Sequence, residues 1–134
     1  SQGIRINIIG EFGKLSPELR KVLKKSIQLT KKNKKIIVNL AINYGSKNEI
    51  IHAAKNTKKL NLRDFEKNLF TKNIPNPDIL IRTGGHKRLS NFMLWQLAYA
   101  ELFFLKKLWP DFNSRDLIKI IKKYRSIKRN FGAI

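Results

Sequence analysis

The sequence predicts an α/β fold in which a largely parallel central sheet is flanked by helices. Two observations predict it. Short runs rich in β-branched residues alternate with segments whose apolar residues recur at helical spacing. Two of the runs, at 36–41 and 78–82, are almost continuously apolar, as is typical of strands buried on both faces of a parallel sheet. The 134 residues are enough for one domain, and no linker or repeat divides them.

The first half of the chain is predicted to hold two strands and three helices. Ile4 begins an alternating strand that stops at Gly10, and Ser16 followed by Pro17 is typical of a helix start. Asn61 is predicted to open the third helix. The predicted ranges are strands at 4–9 and 36–41 and helices from 17, at 47–56 and at 62–70.

The second half is predicted to contain a buried strand, a glycine turn, a short helix, an edge strand and a last helix. The buried strand ends at Arg82 and the turn contains Gly84 and Gly85. Ser114 is predicted to cap the last helix. The predicted ranges are a strand at 78–82, a helix at 92–98, an edge strand at 102–105, a turn at 109–111 and a helix from 114.

The net charge is +20 and the sequence pI is about 10.6, values that ordinarily suggest nucleic acid. The excess is mostly lysine spread over predicted helices and turns, and the aromatic residues fall at core spacing. Two interpretations therefore stay open: a solvated lysine surface, or a positive field that favours an anionic ligand.

Composition also excludes some classes of site. The chain has no cysteine, which excludes disulfides and thiolate metal sites. The longest nearly apolar stretch, 92–105, is too short to span a bilayer. The first residues, Ser1 to Gly3, do not resemble a secretory signal.

A candidate anion site follows the strand that ends at Arg82. The glycine turn would let backbone amides approach a ligand, Arg88 lies six residues on, and Ser90 precedes a predicted helix start. Arginine side chains bind phosphate oxygens two at a time. Two alternatives stay open: Arg82 pairs with a carboxylate, and Ser90 is a plain helix cap. The turn is neither a P-loop nor a dinucleotide fingerprint.

Glu101 is the only acidic residue between Asp78 and Asp111, and it lies in an apolar run. A carboxylate there is costly unless it is paired, protonated or bound to metal. The alternative is a carboxylate at a helix end that reaches solvent or a lysine. One carboxylate does not define a Mg²⁺ site, although Mg²⁺ is often held by one or two carboxylates plus substrate phosphates.

The aromatic stripe Phe92, Trp95 and Tyr99 is predicted to be core, with an apolar substrate channel as the alternative. His86, in the glycine loop, is predicted to face solvent. No Ser-His-Asp arrangement or cluster of metal-ligating residues is recognisable in the sequence.

Several segments together resemble the cis-prenyltransferases of the undecaprenyl diphosphate synthase type. The main one begins Pro-Asp-Ile-Leu-Ile-Arg-Thr-Gly-Gly at Pro77, continues through Arg-Leu-Ser-Asn, and ends with Leu-Trp-Pro-Asp-Phe at Phe112. The segments at 4–10 and 39–45 and the ending from Arg129 to Gly132 also fit. The resemblance therefore covers nearly the whole chain.

The resemblance implies an enzyme that condenses isopentenyl diphosphate onto an allylic diphosphate such as farnesyl diphosphate, with Mg²⁺ and as a homodimer. It implies that Arg82, Arg88 and Ser90, with Leu89 between them, bind the diphosphate of isopentenyl diphosphate. It implies that Glu101 contributes to the Mg²⁺ site. The product would be a long polyprenyl diphosphate handed to the membrane, a lipid carrier for cell-wall synthesis, made in the cytoplasm or at the inner membrane face.

The sequence departs from the family pattern in two respects. His86 stands where the family usually has glutamate. The family's Asp-Gly-Asn-Gly-Arg loop, which binds the allylic diphosphate and supplies the essential aspartate, has no counterpart here. We therefore expect residues 1–134 to be the C-terminal portion of a single domain, without a catalytic residue and inactive alone. The alternatives are a basic nucleic-acid-binding module and a non-catalytic partner subunit.

Overall fold

The computed structural model describes residues 3–128. Ser1 and Gln2, from the segment that does not resemble a secretory signal, lie outside the described residues. The ending from Arg129 to Gly132 lies outside them too. The chain divides after Ile74 into two compact units. Each unit contains one pair of parallel strands, so the α/β class and the parallel pairing are confirmed.

The first unit is built on a parallel strand pair and three helices. Strand β1 pairs with β2 in register from Ile4 opposite Ile36 to Ile9 opposite Ala41. The bounds are β1 Ile4–Ile9, α1 Pro17–Thr30, β2 Ile36–Ala41, α2 Ser46–Asn56 and α3 Leu62–Glu66. Strand β1 is followed by Gly10 at φ +120°, where a Cβ would lie 2.2 Å from the carbonyl oxygen of Ile42. Only glycine fits this close approach.

Helix α1 is fixed at both ends by side-chain hydrogen bonds. The Ser16 hydroxyl accepts from the backbone N–H of Leu19 at 3.3 Å, as the predicted cap requires. At the other end the Thr30 hydroxyl accepts from the backbone N–H of Ile6 at 3.1 Å. These two bonds define the bounds of α1 and join its last turn to β1.

Strand β2 is less buried than the sequence predicts. Ile36 is 56% exposed, Ile37 53% and Leu40 39%. The expectation of burial on both faces is wrong within the described residues, because β2 is an edge strand of a two-stranded sheet and α1 packs against β1. An apolar run shows that a strand has apolar side chains available for burial, but it does not show which neighbouring element covers them.

The polar groups after β2 are used within the first unit. The Asn43 carbonyl accepts from the N–H of Glu11 at 3.2 Å. The Tyr44 hydroxyl donates to the carboxylate of Glu49, which is fully buried in the first turn of α2, at 2.5 Å. This buried acid has no signal in the sequence beyond its place near a helix start.

Helix α3 ends at Glu66, four residues before the predicted end. Asn61 caps it as predicted, accepting from the N–H of Asp64 at 2.9 Å. The side chain of Asn68 then donates to the Asp64 carbonyl at 2.9 Å. A continuing helix would pair that carbonyl with the backbone N–H of Asn68, so the side-chain bond competes with helix extension.

The second unit pairs β3 Ile79–Arg82 with β4 Glu101–Phe104 and ends in α4 Ser114–Ser126. The predicted turn near Trp109 is a 3₁₀ turn. The cap of α4 is Asn113, not the predicted Ser114. Asn113 and Asp116 form a capping box, in which each side chain accepts from the other residue's backbone N–H.

The predicted helix over 92–98 is wrong, because this stretch is a series of turns. Met93, within this stretch, has a left-handed φ of +47°, and Ser90 at φ +48° and Asn91 at φ +63° lie just before it. These dihedrals break a right-handed helix. Met93, Gln96 and Leu97 are buried, whereas Tyr99 and Phe92 are exposed, so the predicted aromatic core stripe is also wrong at those two positions.

None of the helices within residues 3–128 is long and apolar enough to cross a bilayer.

Candidate functional site

A cleft of about 360 Å³ opens at the carboxyl end of β3 in the second unit. All four residues that the sequence assigned to substrate binding line it. The lining residues are Leu80, Ile81, Arg82, Arg88, Leu89, Ser90 and Phe92. The structure therefore brings the predicted binding residues together, although their role in binding stays a prediction.

Arg82 holds the loop that follows β3. Its Nη1 donates to the backbone carbonyl of Arg88, and also to the Ser90 hydroxyl at 2.9 Å. Among residues 3–128 Arg82 has no carboxylate partner, so the alternative in which it pairs with one is wrong within that range. The ion pairs Lys14–Glu11, Lys67–Asp64 and Lys107–Asp116 are formed within residues 3–128, and none of them involves Arg82.

Arg88 is exposed and makes no side-chain hydrogen bond or ion pair with any described residue. The Nε and Nη2 atoms of Arg82 likewise have no partner within residues 3–128. Among residues 3–128, no acidic residue lines the cleft. Two arginines and a hydroxyl line the cleft, and no described carboxylate lines it with them, so the cleft is suited to an anion.

Two parts of the predicted anion site are wrong. The Gly84 and Gly85 amides donate at 2.8 Å to the carbonyls of Lys107 and Leu105, so they do not face a ligand. The helix whose start was expected near Ser90 does not form, so no row of free helix amides is present there. Charge at the cleft comes from side chains instead.

Glu101 lies at the far end of the strand pair from the cleft. It is the first residue of β4 and faces Ile79 in the register, whereas Arg82 faces Phe104. Three residues along a strand correspond to about 10 Å. The helix-end interpretation of Glu101 is therefore wrong, and the strand pair does not bring this carboxylate to the arginines.

The described residues do not form a metal site by themselves. Within 3–128 no group of three or more histidine, aspartate or glutamate residues is arranged to hold an ion. Glu101 and the carbonyl of Asp78 meet only through the backbone bond at 2.9 Å. The residues present do not fit a complete Mg²⁺ site.

The family model for "Putative undecaprenyl diphosphate synthase" matches residues 1–132. The chain belongs to the cis-prenyltransferase family. It is 41% identical to an isoprenyl transferase of Oceanobacillus iheyensis over 98% of this chain, and 44% identical to one of Rickettsia felis over 97%.

Solved structures of the family agree with the fold. A probable undecaprenyl diphosphate synthase from Campylobacter jejuni superposes with a TM-score of 0.89 at 38% identity and covers 97% of this chain. Lavandulyl diphosphate synthase from Lavandula x intermedia, solved with dimethylallyl diphosphate, gives 0.91 at 35% identity and covers 98%.

The chain spans only part of these relatives. It covers 56% and 57% of the two isoprenyl transferases, and 64% and 62% of the two structures. Family membership is therefore a property of the matched region, and the resemblance inferred from the sequence is confirmed at that level.

Sequence reasoning missed two of the cleft residues, Leu80 and Ile81, because both read as interior positions of a strand. Phe92 does line the cleft, in line with the apolar-channel alternative for that residue. A usable signal was present: the last residues of a parallel strand lie where ligands bind in α/β sheets. His86 is exposed, as predicted.

Proposed function

We propose that this chain carries the isopentenyl diphosphate half-site of a cis-prenyltransferase. The main support is the cleft at the end of β3, which Arg82, Arg88 and Ser90 line and which no acidic residue of 3–128 lines. The diphosphate would contact the free guanidinium N–H groups and the Ser90 hydroxyl. Leu89 and Phe92, on the same cleft, provide apolar surface for the five-carbon chain. A volume of about 360 Å³ lies within the range of small-ligand sites.

The proposed reaction joins isopentenyl diphosphate to an allylic diphosphate such as farnesyl diphosphate, and repeats to give a long polyprenyl diphosphate. Family membership supports this reaction class. A related structure holds dimethylallyl diphosphate, which is also an allylic diphosphate. We further propose that the allylic half-site and the essential aspartate come from a segment without a counterpart here, so residues 1–134 alone would be inactive.

The proposed partners follow from the same assignment. Glu101 would supply one carboxylate toward Mg²⁺, with its other ligands from the substrate or from carboxylates outside residues 3–128. A homodimer is proposed, with the product released to the inner membrane face and the enzyme in the cytoplasm or at that face. No nucleic-acid partner is proposed.

The direct test is calorimetric titration of isopentenyl diphosphate into the full-length native protein and into Arg88→Ala. Loss of one charge-assisted contact is expected to weaken binding by about ten- to a hundredfold. Lys87→Ala is the matched control, because Lys87 is an adjacent exposed cation that does not line the cleft. An equal loss in both variants would indicate a general field effect and contradict the assignment of the cleft.

A further inference from the structure

The backbone dihedral angles at 90–93, beside the cleft of the second unit, are unusual. Among the non-glycine residues of 3–128, four have a left-handed φ, and three of them are Ser90, Asn91 and Met93. This region is disfavoured for side chains with a Cβ, because the Cβ approaches the next carbonyl oxygen. Asparagine tolerates it better than most residues. Strained backbone that persists beside a binding cleft indicates a role for the strain.

The left-handed residues determine where the cleft side chains lie. The chain reverses after Leu89, whose carbonyl accepts from the N–H of Phe92 at 3.0 Å. The reversal places the Ser90 hydroxyl 2.9 Å from Arg82. On the far side, Met93 is buried and its carbonyl accepts from the N–H of Leu97 at 3.0 Å, which anchors the turn.

We propose that Asn91 is a positioning residue: its left-handed backbone holds Ser90 and the Arg88 loop in the geometry that accepts the diphosphate. The inference rests on the proposed function and adds a residue to it. If residue 91 leaves the left-handed region, the loop relaxes and only a fraction of molecules remains competent. The apparent affinity for isopentenyl diphosphate is then the intrinsic affinity multiplied by that fraction.

The test compares Asn91→Ala with Asn91→Gly in the full-length native protein, with isopentenyl diphosphate titrated by calorimetry. Alanine disfavours the left-handed region, so binding is expected to weaken roughly 5- to 30-fold. Glycine adopts positive φ readily, so Asn91→Gly is expected to bind within about threefold of the wild type even though it lacks the amide side chain.

The control is Asn113→Ala, the same substitution at the cap of α4 in the same unit but outside the cleft. It is expected to lower the melting temperature and leave affinity unchanged. A purely structural role for Asn91 predicts the same behaviour for Asn91→Ala. If Asn91→Ala does not fold, Asn91→Ser replaces it, with a smaller expected loss of affinity.

The possible outcomes distinguish the inference about Asn91 from the proposed half-site. Weak binding by Asn91→Ala together with near-normal binding by Asn91→Gly supports the inference. Normal binding by folded Asn91→Ala overturns it, and so does weak binding by Asn91→Gly, which would assign the effect to the amide. Absence of binding by the wild type overturns the proposed half-site and this inference with it.

Discussion

The two arginines of the cleft have different tasks in the structure. Arg82 uses Nη1 to hold the Arg88 carbonyl and the Ser90 hydroxyl, whereas Arg88 has no side-chain partner within residues 3–128. A guanidinium offers five donors in a planar fork, so Arg82 can hold the loop and still present Nε and Nη2 to a ligand. Lysine has a single ammonium group, so it cannot both hold the loop and bind a ligand equally well.

This difference predicts unequal effects of lysine substitution. In the full-length enzyme, Arg82→Ala and Arg88→Ala are each expected to lower kcat/KM for isopentenyl diphosphate by about one to two decades. Arg88→Lys is expected to recover more activity than Arg82→Lys, because only Arg82 has an internal partner to keep. The Michaelis constant for farnesyl diphosphate should change little. Equal recovery by the two lysine variants in steady-state kinetics would contradict the loop-holding role of Arg82.

Glu101 is the residue whose proposed role is least supported by local geometry. Its place at the start of β4 is about 10 Å along the strand from the row of Arg82. If it nevertheless contributes to Mg²⁺ binding, Glu101→Gln in the full-length enzyme should keep its fold and need several-fold more Mg²⁺ for half-maximal rate. Titration of Mg²⁺ at saturating substrates measures this. An unchanged Mg²⁺ dependence would leave Glu101 with a structural role only.

At the scale of the elements, prediction from sequence succeeded where the signal is local. β1, β2, β3 and the start of α1 lie within a residue of their predicted bounds, because alternation, apolar runs and a Ser-Pro cap are short-range signals. The helix predicted over 92–98 failed for the opposite reason. Its residues are acceptable helix formers, but Met93 is buried with a left-handed φ, and such packing is not visible in a short window of sequence.

The cap of α4 gives a sharp test at this scale. Asn113 accepts from the N–H groups of Arg115 and Asp116, whereas Ser114 is the first helical residue. Asn113→Ala is expected to lower the free energy of unfolding by about 1 kcal/mol. Ser114→Ala should change it by less than about 0.5 kcal/mol. Chemical denaturation of both variants measures the difference, and the reverse order would restore Ser114 as the cap.

The same capping box predicts a pH dependence. The pKa of Asp116 is lowered from 3.8, because Lys107 Nζ donates to its carboxylate at 2.8 Å and the Asn113 N–H at 3.0 Å. A carboxyl group with a lowered folded pKa stabilises the fold above its unfolded pKa, and the contribution is lost as pH falls through the folded value. The stability deficit of Asp116→Asn should therefore shrink below about pH 4. A deficit that stays constant down to acid denaturation would contradict this.

At the scale of the whole molecule, the candidate site was easier to predict than its surroundings. Arg82, Arg88, Leu89 and Ser90 share one cleft because the chain returns after a six-residue loop, a local event. The edge strand predicted at 102–105 lies within a residue of β4, whereas the burial of β2 and the helix-end alternative for Glu101 were predicted wrongly, because both depend on long-range packing. Family membership supports the fold where local sequence patterns do not predict it, but only within the matched region.

The apolar surface of the second unit leads to a prediction about assembly. Leu102, Leu108 and Trp109 are all exposed, and Trp109, 73% exposed, stacks on Phe112 with ring centroids 5.9 Å apart. Several exposed apolar side chains within one short stretch are typical of an interface, and a two-fold contact would bury them on both copies at once.

We therefore expect the full-length protein to be a dimer at micromolar concentration by light scattering, and Trp109→Ser to shift it toward monomer. Leu60→Ser is the control, since Leu60 is 90% exposed and belongs to the first unit. It removes a comparable apolar side chain and should leave the dimer intact, because a single exposed leucine is ordinary for a protein surface. A wild-type monomer, or equal dissociation of both variants, would show that residues 102–109 are not the interface.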